Sequence, residues 1–304
     1  MTVVVSGASG LIGSALVDSL RAEGRDVRIL VRREARAPYE VRWSPHLGAR
    51  GATADLRAAL EGAEAVVNLS GAGVAGKRWS DAYKREILDS RVAATTCLAT
   101  AMAETQTRPR AFVSGSAGGF YGDTGPVAVE ESAAVGSTFL ARVASAWEHA
   151  AAPARDAGVR VTHPRTSVVA DPDGGAFGRW LPFLRAGVGG RLGSGRQWWS
   201  LISLRDQVAG LRRLVDDDSL EGPYNMVAPE QVTNGDLTTA VGRALHRPTV
   251  APVPRLGLWL VLGDFADELL IDQRLSPARL LASGFEFRDP TVDDVVRGLL
   301  EPTD

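Results

Sequence analysis

The amino-acid sequence predicts an α/β fold with a doubly wound parallel sheet and a smaller C-terminal α/β cap. Short β-branched runs alternate with amphipathic helical patterns in the first half of the chain, which is typical of βαβ units. A glycine-rich turn joins the first run to the first helical pattern. The alternation stops near residue 170, so we predict a cofactor-binding domain over residues 1–170 and a substrate-binding cap over residues 171–304.

The predicted strands of the first domain are short apolar runs at residues 3–5, 27–31, 65–69, 111–114 and 159–161. The first helical pattern follows the first run and ends at Gly24, a natural C-terminal stop. A second helix is predicted to begin at Ser80, which can cap its N-terminus, and to end before Pro109.

The cap region is rich in turn sequences. Residues 171–175 read as a loop, and residues 187–195 contain five glycines. A late strand near residues 224–227 is expected to return to the sheet of the first domain. Asn234 is expected to cap a helix that runs to His246. The C-terminal part would then cover the carboxyl edge of the sheet.

Composition narrows the classes of partner. The 304 residues carry 34 Lys+Arg and 36 Asp+Glu, a formal net charge of -2, which argues against nucleic acid or an anionic membrane. A small-molecule substrate or another protein is expected, including a second copy in a homodimer. The single Cys97 and the absence of a signal-peptide pattern indicate a cytoplasmic protein. The most hydrophobic stretch, residues 256–262, is too short to span a bilayer.

The glycine-rich turn matches the pattern G-x-x-G-x-x-G in a strand-turn-helix context. Gly7 permits the tight turn, Gly10 lets backbone N–H groups approach a pyrophosphate, and Gly13 allows close packing of helix on strand. This placement favours a Rossmann-type dinucleotide site over an ordinary glycine turn. The predicted cofactor-binding residues of this loop are Gly7, Ser9, Gly10, Leu11, Ile12 and Gly13.

The end of the second strand carries arginines where NAD-selective folds usually place a carboxylate. Arg32 is followed by Arg33, and a guanidinium there can pair with the 2′-phosphate of NADP. We therefore predict NADP(H) in preference to NAD(H), with both arginines at the cofactor. The alternative is that these arginines only solvate the strand end.

Several further motifs occur at residues 68–72, 77–79, 87–91, 114–116, 120–123, 164–166, 192–198, 263–270 and 284–287. With the glycine loop they give the chain a resemblance, over nearly its whole length, to atypical extended short-chain dehydrogenase/reductases. The similar group is the epimerase-like one that carries a C-terminal domain of unknown function. The resemblance implies an NAD(P) cofactor and adds as cofactor-binding residues Ser70, Gly71, Ala72, Arg91, Ser114, Pro164 and Arg165. Arg91 could instead bind an acidic group of the substrate.

The usual catalytic Tyr-x-x-x-Lys of short-chain reductases is absent. None of the tyrosines has a lysine four residues later, and at the usual spacing Leu140 and Ala144 replace the tyrosine and lysine. The remaining candidates for proton transfer are Ser116, at the end of a strand, and Tyr121, five residues on. Alternatively, Tyr121 only packs against the cofactor and Ser116 only caps backbone.

Two segments are candidates for the substrate site. Lys77, Arg78 and Trp79 follow the strand that closes the cofactor cleft, and Gln197 and Trp198 follow the glycine-rich stretch of the cap. We expect both tryptophans to line one pocket beside the nicotinamide, because hydride transfer needs water excluded. The alternatives are solvent-facing charge for the first segment and core packing for the second.

Other chemistries lack the residues they need. The four histidines have no H-x-x-x-H spacing and no cysteine cluster, so we predict no metal site. No G-x-S-x-G and no G-x-x-x-x-G-K-[ST] motif occurs, which disfavours hydrolases and ATPases. The sequence thus favours an NADP-dependent oxidoreductase or nucleotide-sugar-epimerase-like enzyme acting on a small carbonyl or hydroxyl compound. The alternative is an NADP-binding regulatory or sensor protein without turnover.

Overall fold

The computed structural model describes residues 2–300, and its centre is one parallel sheet. The strands in chain order are β1 (Thr2–Ser6), β2 (Asp26–Val31), β3 (Glu40–Arg42), β4 (Ala65–Asn68), β5 (Ala111–Ser114), β6 (Ser116–Ala117), β7 (Arg160–Thr166), β8 (Val168–Ala170), β9 (Trp198–Trp199), β10 (Leu201–Ser203), β11 (Gly222–Met226) and β12 (Val232–Thr233). The main sheet has the order β3-β2-β1-β4-β5-β7-β11, and β6 also pairs with β7. All of these pairs are parallel, which confirms the predicted fold class.

Helices cover both faces of this sheet. They are α1 (Leu11–Ala22), α2 (Ala54–Leu60), α3 (Asp81–Ala103), α4 (Phe139–His149), α5 (Ala152–Asp156), α6 (Gly175–Arg185), α7 (Leu204–Asp216), α8 (Asn234–Ala244), α9 (Arg255–Leu262), α10 (Phe265–Leu269), α11 (Ala278–Ala282) and α12 (Val292–Leu300). Two 3-10 helices occupy Pro45–Gly51 and Gly118–Tyr121. Within residues 2–300, no helix is long and apolar enough to cross a membrane.

Separate apolar clusters hold the layers together. One cluster packs α1 and α7 against one face of the sheet, and a second packs α2 and α3 against the opposite face. A third lies in the C-terminal half and includes residues of α6, α8 and α12. β11 joins the main sheet with Tyr224 opposite Pro164, at the position where the sequence indicates a late strand.

The C-terminal part approaches the carboxyl ends of the strands. Leu275 forms a β-bridge with Val129, and its side chain lies against Gly118, just beyond β6. The backbone N–H of Thr124 donates to the carbonyl of Asp272. This edge of a parallel sheet is where ligands bind in open α/β folds, so the packing positions the C-terminal residues beside the candidate site.

Local predictions agree with the structure where short-range chemistry determines the element. The Ser80 side chain accepts from the backbone N–H of Tyr83 and caps α3, as expected. The predicted cap of α8 is wrong by one residue. Thr233 is the capping residue and forms a capping box with Asp236, while the Asn234 side chain accepts from the backbone N–H of Leu192.

Candidate dinucleotide and catalytic site

The glycine loop after β1 has a geometry that only small residues permit. Gly7 has a φ of +76°, and a Cβ added there would lie 2.7 Å from the carbonyl carbon of Leu69. A Cβ added at Gly13 would lie 2.2 Å from the carbonyl oxygen of Gly7. The loop therefore depends on these two glycines to bring α1 close to the ends of β1 and β4.

The N-terminus of α1 offers backbone donors without protein acceptors. Its N-cap, Gly10, has no side chain, and the first turn has no acidic residue. Within residues 2–300, no group accepts from the backbone N–H groups of Leu11, Ile12 and Gly13. Ser9, just before the cap, is exposed. Free N–H groups at the positive end of a helix dipole fit the pyrophosphate of a dinucleotide.

The two arginines after β2 have different environments. Arg33 donates from both terminal nitrogens to the Glu40 carboxylate, at 2.6 and 2.7 Å. The hydrogen bond from Arg33, with one from the Arg36 backbone, lowers the pKa of Glu40 to about 2. Arg32 is exposed and forms no hydrogen bond or ion pair within residues 2–300. Arg32 is thus the guanidinium at this strand end that remains available to an anion.

Three side chains hold the loop after β4 in place by hydrogen bonds. The backbone N–H of Ser70 donates to Asn68 Oδ1 at 3.2 Å, and that of Ala72 donates to Ser90 Oγ at 3.0 Å. Arg91 Nη1 donates to the Ala72 carbonyl at 2.8 Å, and the guanidinium packs against Gly71. These contacts hold the loop beside the glycine turn.

Arg91 carries a charge that no carboxylate neutralises within the described chain. Its hydrogen bonds run to the carbonyls of Ala72 and Ile87, and its guanidinium lies 5.1 Å from the ring centroid of Trp147. Burial lowers the pKa of Arg91 to about 10. A guanidinium without a carboxylate partner suits either an anionic cofactor group or an anionic substrate.

The predicted catalytic residues belong to one buried hydrogen-bond network. Ser116 Oγ donates to Glu148 Oε1 at 2.7 Å. Arg165 donates to both oxygens of Glu148, at 2.8 and 2.9 Å, and to the Tyr121 hydroxyl at 2.8 Å. That hydroxyl donates in turn to Asn225 Oδ1 at 2.7 Å. The network connects the ends of β6, β7 and β11 with α4, and it engages the Arg165 side chain that the resemblance assigns to the cofactor.

Burial and pairing shift the acidity of this network in opposite directions. Burial raises the pKa of Tyr121, although Arg165 opposes the change. For Glu148, burial is the largest single effect and favours the neutral acid, but the hydrogen bond and charge of Arg165, together with His163 and the Ser116 hydroxyl, outweigh it and keep the pKa below its ordinary value. Glu148 is therefore a carboxylate that accepts hydrogen bonds, and Tyr121 keeps its proton at neutral pH.

Helix α4 occupies the position of the missing Tyr-x-x-x-Lys. Leu140 lies one residue after the start of this helix, and a Cβ added at Gly119 would lie 3.1 Å from the Leu140 Cβ. Ala144 is buried one turn further. The turn after Ser116 therefore packs on the face of α4 that would carry the absent tyrosine. Nearby, Ser114 is buried, and its hydroxyl has no hydrogen-bond partner among the described residues.

The segment at residues 77–79 packs in an apolar cluster. The ring centroid of Trp79 lies 5.1 Å from those of both Phe139 and Phe265. Arg78 lies over the ring of Trp259, 5.0 Å from its centroid. Lys77 is exposed and lies 3.5 Å from a carboxylate oxygen of Glu86. Packing between this loop, α4 and the C-terminal helices thus determines where the indole lies.

The segment at residues 197–198 has other neighbours. Gln197 is buried and donates to the Leu192 carbonyl at 3.0 Å. The ring of Trp198 lies under Arg274, with 3.9 Å between the guanidinium carbon and the ring centroid. Among the described residues Trp79 and Trp198 form no ring contact with each other, and each indole packs against its own neighbours. The shared pocket stays a prediction. Pro164 is buried within β7.

Sequence reasoning missed two residues of the buried network. Glu148 and Asn225 complete the hydrogen bonds of Ser116 and Tyr121, yet neither belongs to a recognised catalytic motif. A polar residue within the apolar late strand was the available signal for Asn225. Among residues 2–300 there is also no group of three or more His, Cys, Asp or Glu that could hold a metal ion.

Tyr121→Phe tests the role assigned to the phenol. The substitution removes the hydroxyl that accepts from Arg165 and donates to Asn225, so we expect a loss of about 1–3 kcal/mol in unfolding free energy. If Tyr121 also transfers a proton, kcat should fall while the Kd for NADPH stays unchanged. Calorimetry and steady-state kinetics measure both quantities. Wild-type kcat across neutral pH would rule out general-acid catalysis by Tyr121.

Comparison with known protein families supports the same fold. The model of the NAD dependent epimerase/dehydratase family matches residues 3–227, and a domain of unknown function, DUF1731, matches residues 253–299. An epimerase family protein of Mycobacterium bovis is 41% identical over 295 residues, covering 97% of this chain and 96% of the relative. The mouse epimerase family protein SDR39U1 is 32% identical over 294 residues, covering 95% and 96%.

Solved structures give the same assignment. The human epimerase family protein SDR39U1, crystallised with NADPH, superposes with a TM-score of 0.90 at 30% identity, covering 98% of this chain and 99% of that one. The UDP-glucose 4-epimerase of Thermus thermophilus in complex with NAD has a TM-score of 0.74 at 20% identity, covering 98% and 99%, and shows the shared fold alone. The chain belongs to the NAD dependent epimerase/dehydratase family, with a DUF1731 domain at its C-terminal end.

Proposed function

We propose that this chain is an NADP(H)-dependent oxidoreductase or epimerase-like enzyme that acts on a small carbonyl or hydroxyl compound. Family membership, the uncapped N-terminus of α1 and the human relative crystallised with NADPH support a dinucleotide cofactor. The observation that carries the preference for NADP(H) is the exposed and unpaired Arg32 beside an Arg33 that is already bound to Glu40.

Different residues of the chain would bind different groups of the cofactor. The backbone N–H groups of residues 11–13 would hold the pyrophosphate, and Arg32 would pair with the 2′-phosphate. Arg91 would neutralise a further anionic group near the loop after β4. A bound nicotinamide supplies or accepts a hydride.

The network around Ser116 would orient the substrate. The Ser116 hydroxyl donates its hydrogen bond to Glu148, so its oxygen lone pairs would be free to accept from a substrate hydroxyl. Arg165 holds Glu148 as a carboxylate and fixes this direction. Ser116 would therefore position an alcohol substrate or product, and the acid for the reverse reaction would come from another group.

Arg32→Ala tests the cofactor preference. Losing one charge-assisted contact should cost about 1.5–3 kcal/mol of binding free energy, and only NADPH carries the phosphate that makes this contact. Isothermal calorimetry should show a much larger rise in Kd for NADPH than for NADH. The matched control is Arg33→Ala, which breaks the Glu40 ion pair and should change the two affinities similarly. Equal losses for both cofactors in Arg32→Ala would refute the assignment.

A second candidate function is a regulatory or sensor protein that binds NADP(H) without turnover. The absence of Tyr-x-x-x-Lys and the engagement of both Ser116 and Tyr121 in internal hydrogen bonds favour it. Following NADPH absorbance with a broad set of aldehydes, ketones and quinones distinguishes the candidates. Consumption of NADPH with any of them supports the enzyme, whereas tight binding without consumption supports the sensor.

The proposal also includes a small-molecule substrate, no nucleic-acid or membrane partner, a cytoplasmic location and a homodimer, all of which stay predictions. The net charge of -2 supports a small-molecule substrate and the absence of a nucleic-acid or membrane partner. Cys97 is buried, and burial raises the pKa of its thiol to about 11, which is consistent with a thiol that stays reduced. Analytical ultracentrifugation would test the homodimer.

A further inference from the structure

A small cavity lies where the C-terminal domain meets the carboxyl end of β7. Its volume is about 40 Å³, and Ser167, Trp199, Ser200, Glu268 and Gln273 contribute to its lining. A space of this size can hold a water molecule or a small polar group such as a carbonyl. The cavity belongs to the part of the sheet edge where the proposed substrate would lie.

Glu268 presents one free carboxylate oxygen in this region. Its Oε1 atom accepts from the backbone N–H of Leu140 at 3.1 Å. Its Oε2 atom is buried and has no hydrogen-bond partner within residues 2–300. Because Oε1 accepts from Leu140 and Oε2 has no partner within the described chain, Oε2 is the oxygen that would carry the proton in the acid form.

This carboxyl lies beside the position of the missing tyrosine. Leu140 replaces that tyrosine at the usual spacing, and its backbone binds Glu268 directly. The turn after Ser116 contains two glycines that lie close to Ser167 and Leu140. A Cβ added at Gly118 would lie 3.3 Å from the Ser167 Cβ, and one added at Gly119 would lie 3.1 Å from the Leu140 Cβ.

We propose that Glu268, contributed by the DUF1731 domain, is the proton donor that replaces the absent tyrosine in carbonyl reduction. This proposal rests on the proposed function. It also gives the C-terminal domain a chemical role, because α10 brings the carboxyl to the start of α4. The matching domain spans residues 253–299 and includes Glu268.

The step balances as an ordinary carbonyl reduction. With NADPH bound to supply a hydride to the carbonyl carbon of the substrate, the carbonyl oxygen would accept the proton of Glu268 Oε2. The C=O π bond and the Glu268 O–H bond would break, one C–H and one O–H bond would form in the product, and the bound cofactor would be oxidised by losing the hydride. Glu268 would be left as a carboxylate that takes its next proton from solvent before the following turnover. In the oxidation direction the same carboxylate accepts the proton.

The surroundings of Glu268 favour the protonated form. Burial raises its pKa, although hydrogen bonds from the start of α4 and the charge of Arg142 oppose the change. Two neighbouring ion pairs are satisfied within themselves: Lys84 of α3 binds Asp264, and Asp267 binds Arg255. A carboxyl with a raised pKa keeps its proton to higher pH, as a general acid requires.

The first test measures the proton itself in the cofactor-free protein. Infrared difference spectroscopy during a pH titration should show the carbonyl band of a protonated carboxylic acid persisting to higher pH than the bands of the exposed carboxyl groups. That band should disappear in Glu268→Gln and remain in the control Asp267→Asn, which changes the exposed neighbouring carboxylate. A wild-type spectrum in which Glu268 ionises at the same pH as the exposed carboxyl groups, or at a lower one, would overturn the proposal.

The second test measures turnover with NADPH and a reducible aromatic aldehyde or ortho-quinone. Glu268→Gln should lower kcat about 10²- to 10⁴-fold. It should also remove the fall of kcat at high pH, while the Kd for NADPH stays unchanged. Glu268→Asp keeps an acid and should retain part of the rate, which separates chemistry from folding. Wild-type kcat in Glu268→Gln would overturn the role of Glu268 alone. No reduction by the wild-type protein, despite NADPH binding, would overturn the proposed enzyme and the role of Glu268 with it.

Discussion

Arg165→Met is expected to lower the free energy of unfolding by about 3–5 kcal/mol, because it removes one partner of a buried ion pair. Arg165 and Glu148 are both largely buried, with side-chain exposures of 5% and 12%. Methionine fills much of the same volume, but within residues 2–300 it leaves the Glu148 carboxylate with the Ser116 hydroxyl as its one hydrogen-bond donor. The penalty is therefore the cost of an uncompensated buried charge, measured by urea unfolding at pH 7.

The pH dependence of this loss has a definite sign. In the wild-type protein the pKa of Glu148 lies below its ordinary value, so its contribution to stability is present above about pH 4.3 and is lost as pH falls through the native pKa. Without Arg165 the buried carboxyl should take up a proton more readily, so the deficit of Arg165→Met should shrink between pH 7 and pH 5. Arg33→Met, at a pair whose arginine is exposed, should cost far less than Arg165→Met. A deficit for Arg165→Met as small as that of Arg33→Met would contradict the buried network.

Gly13→Ala is expected to abolish detectable NADPH binding and to destabilise the fold by about 1–3 kcal/mol or more. The added Cβ would lie 2.2 Å from the Gly7 carbonyl oxygen and 2.8 Å from its carbonyl carbon, and backbone atoms cannot rotate away as a side chain can. Relief requires α1 to move from β1, which also moves the N–H groups that would hold the pyrophosphate. Calorimetric titration and thermal unfolding report the two effects.

Gly257→Ala is the matched control for this substitution. A Cβ at Gly257 would lie 3.6 Å from Pro254, an ordinary contact, and the residue lies within α9. It should leave NADPH binding unchanged and should not lower stability, because alanine is the better helix former. Full NADPH affinity in Gly13→Ala would show that the close approach of α1 is not needed for the cofactor.

Much of the fold could be predicted because its signals are local. The strand-turn-helix at Gly7–Gly13 and the Ser80 cap follow from residues within one or two turns of each other. The strand Glu40–Arg42 was not predicted, because three partly exposed residues make no apolar run. Thr233 and Asn234 are adjacent polar residues that can both cap a helix, and only the contact of Asn234 with Leu192 distinguishes them.

The candidate site was harder to predict because its decisive contacts join distant residues. Glu148 pairs with Arg165 across a helix and a strand, and Tyr121 binds an asparagine 104 positions later. Sequence spacing carries no information about such pairs. Glu268 was the hardest residue to predict, because its proposed role depends on a contact with the backbone of Leu140, 128 residues away in the sequence. The glycine loop, by contrast, could be predicted from the residues of one local turn.

The most direct test of the central claim is a side-by-side calorimetric titration of the wild-type protein with NADPH and NADH at the same salt concentration. A charge-assisted contact from Arg32 to the 2′-phosphate is worth about 1.5–3 kcal/mol, and each 1.4 kcal/mol is about tenfold in Kd. The account predicts that NADPH binds at least about tenfold more tightly than NADH. Equal affinities, or tighter binding of NADH, would contradict it.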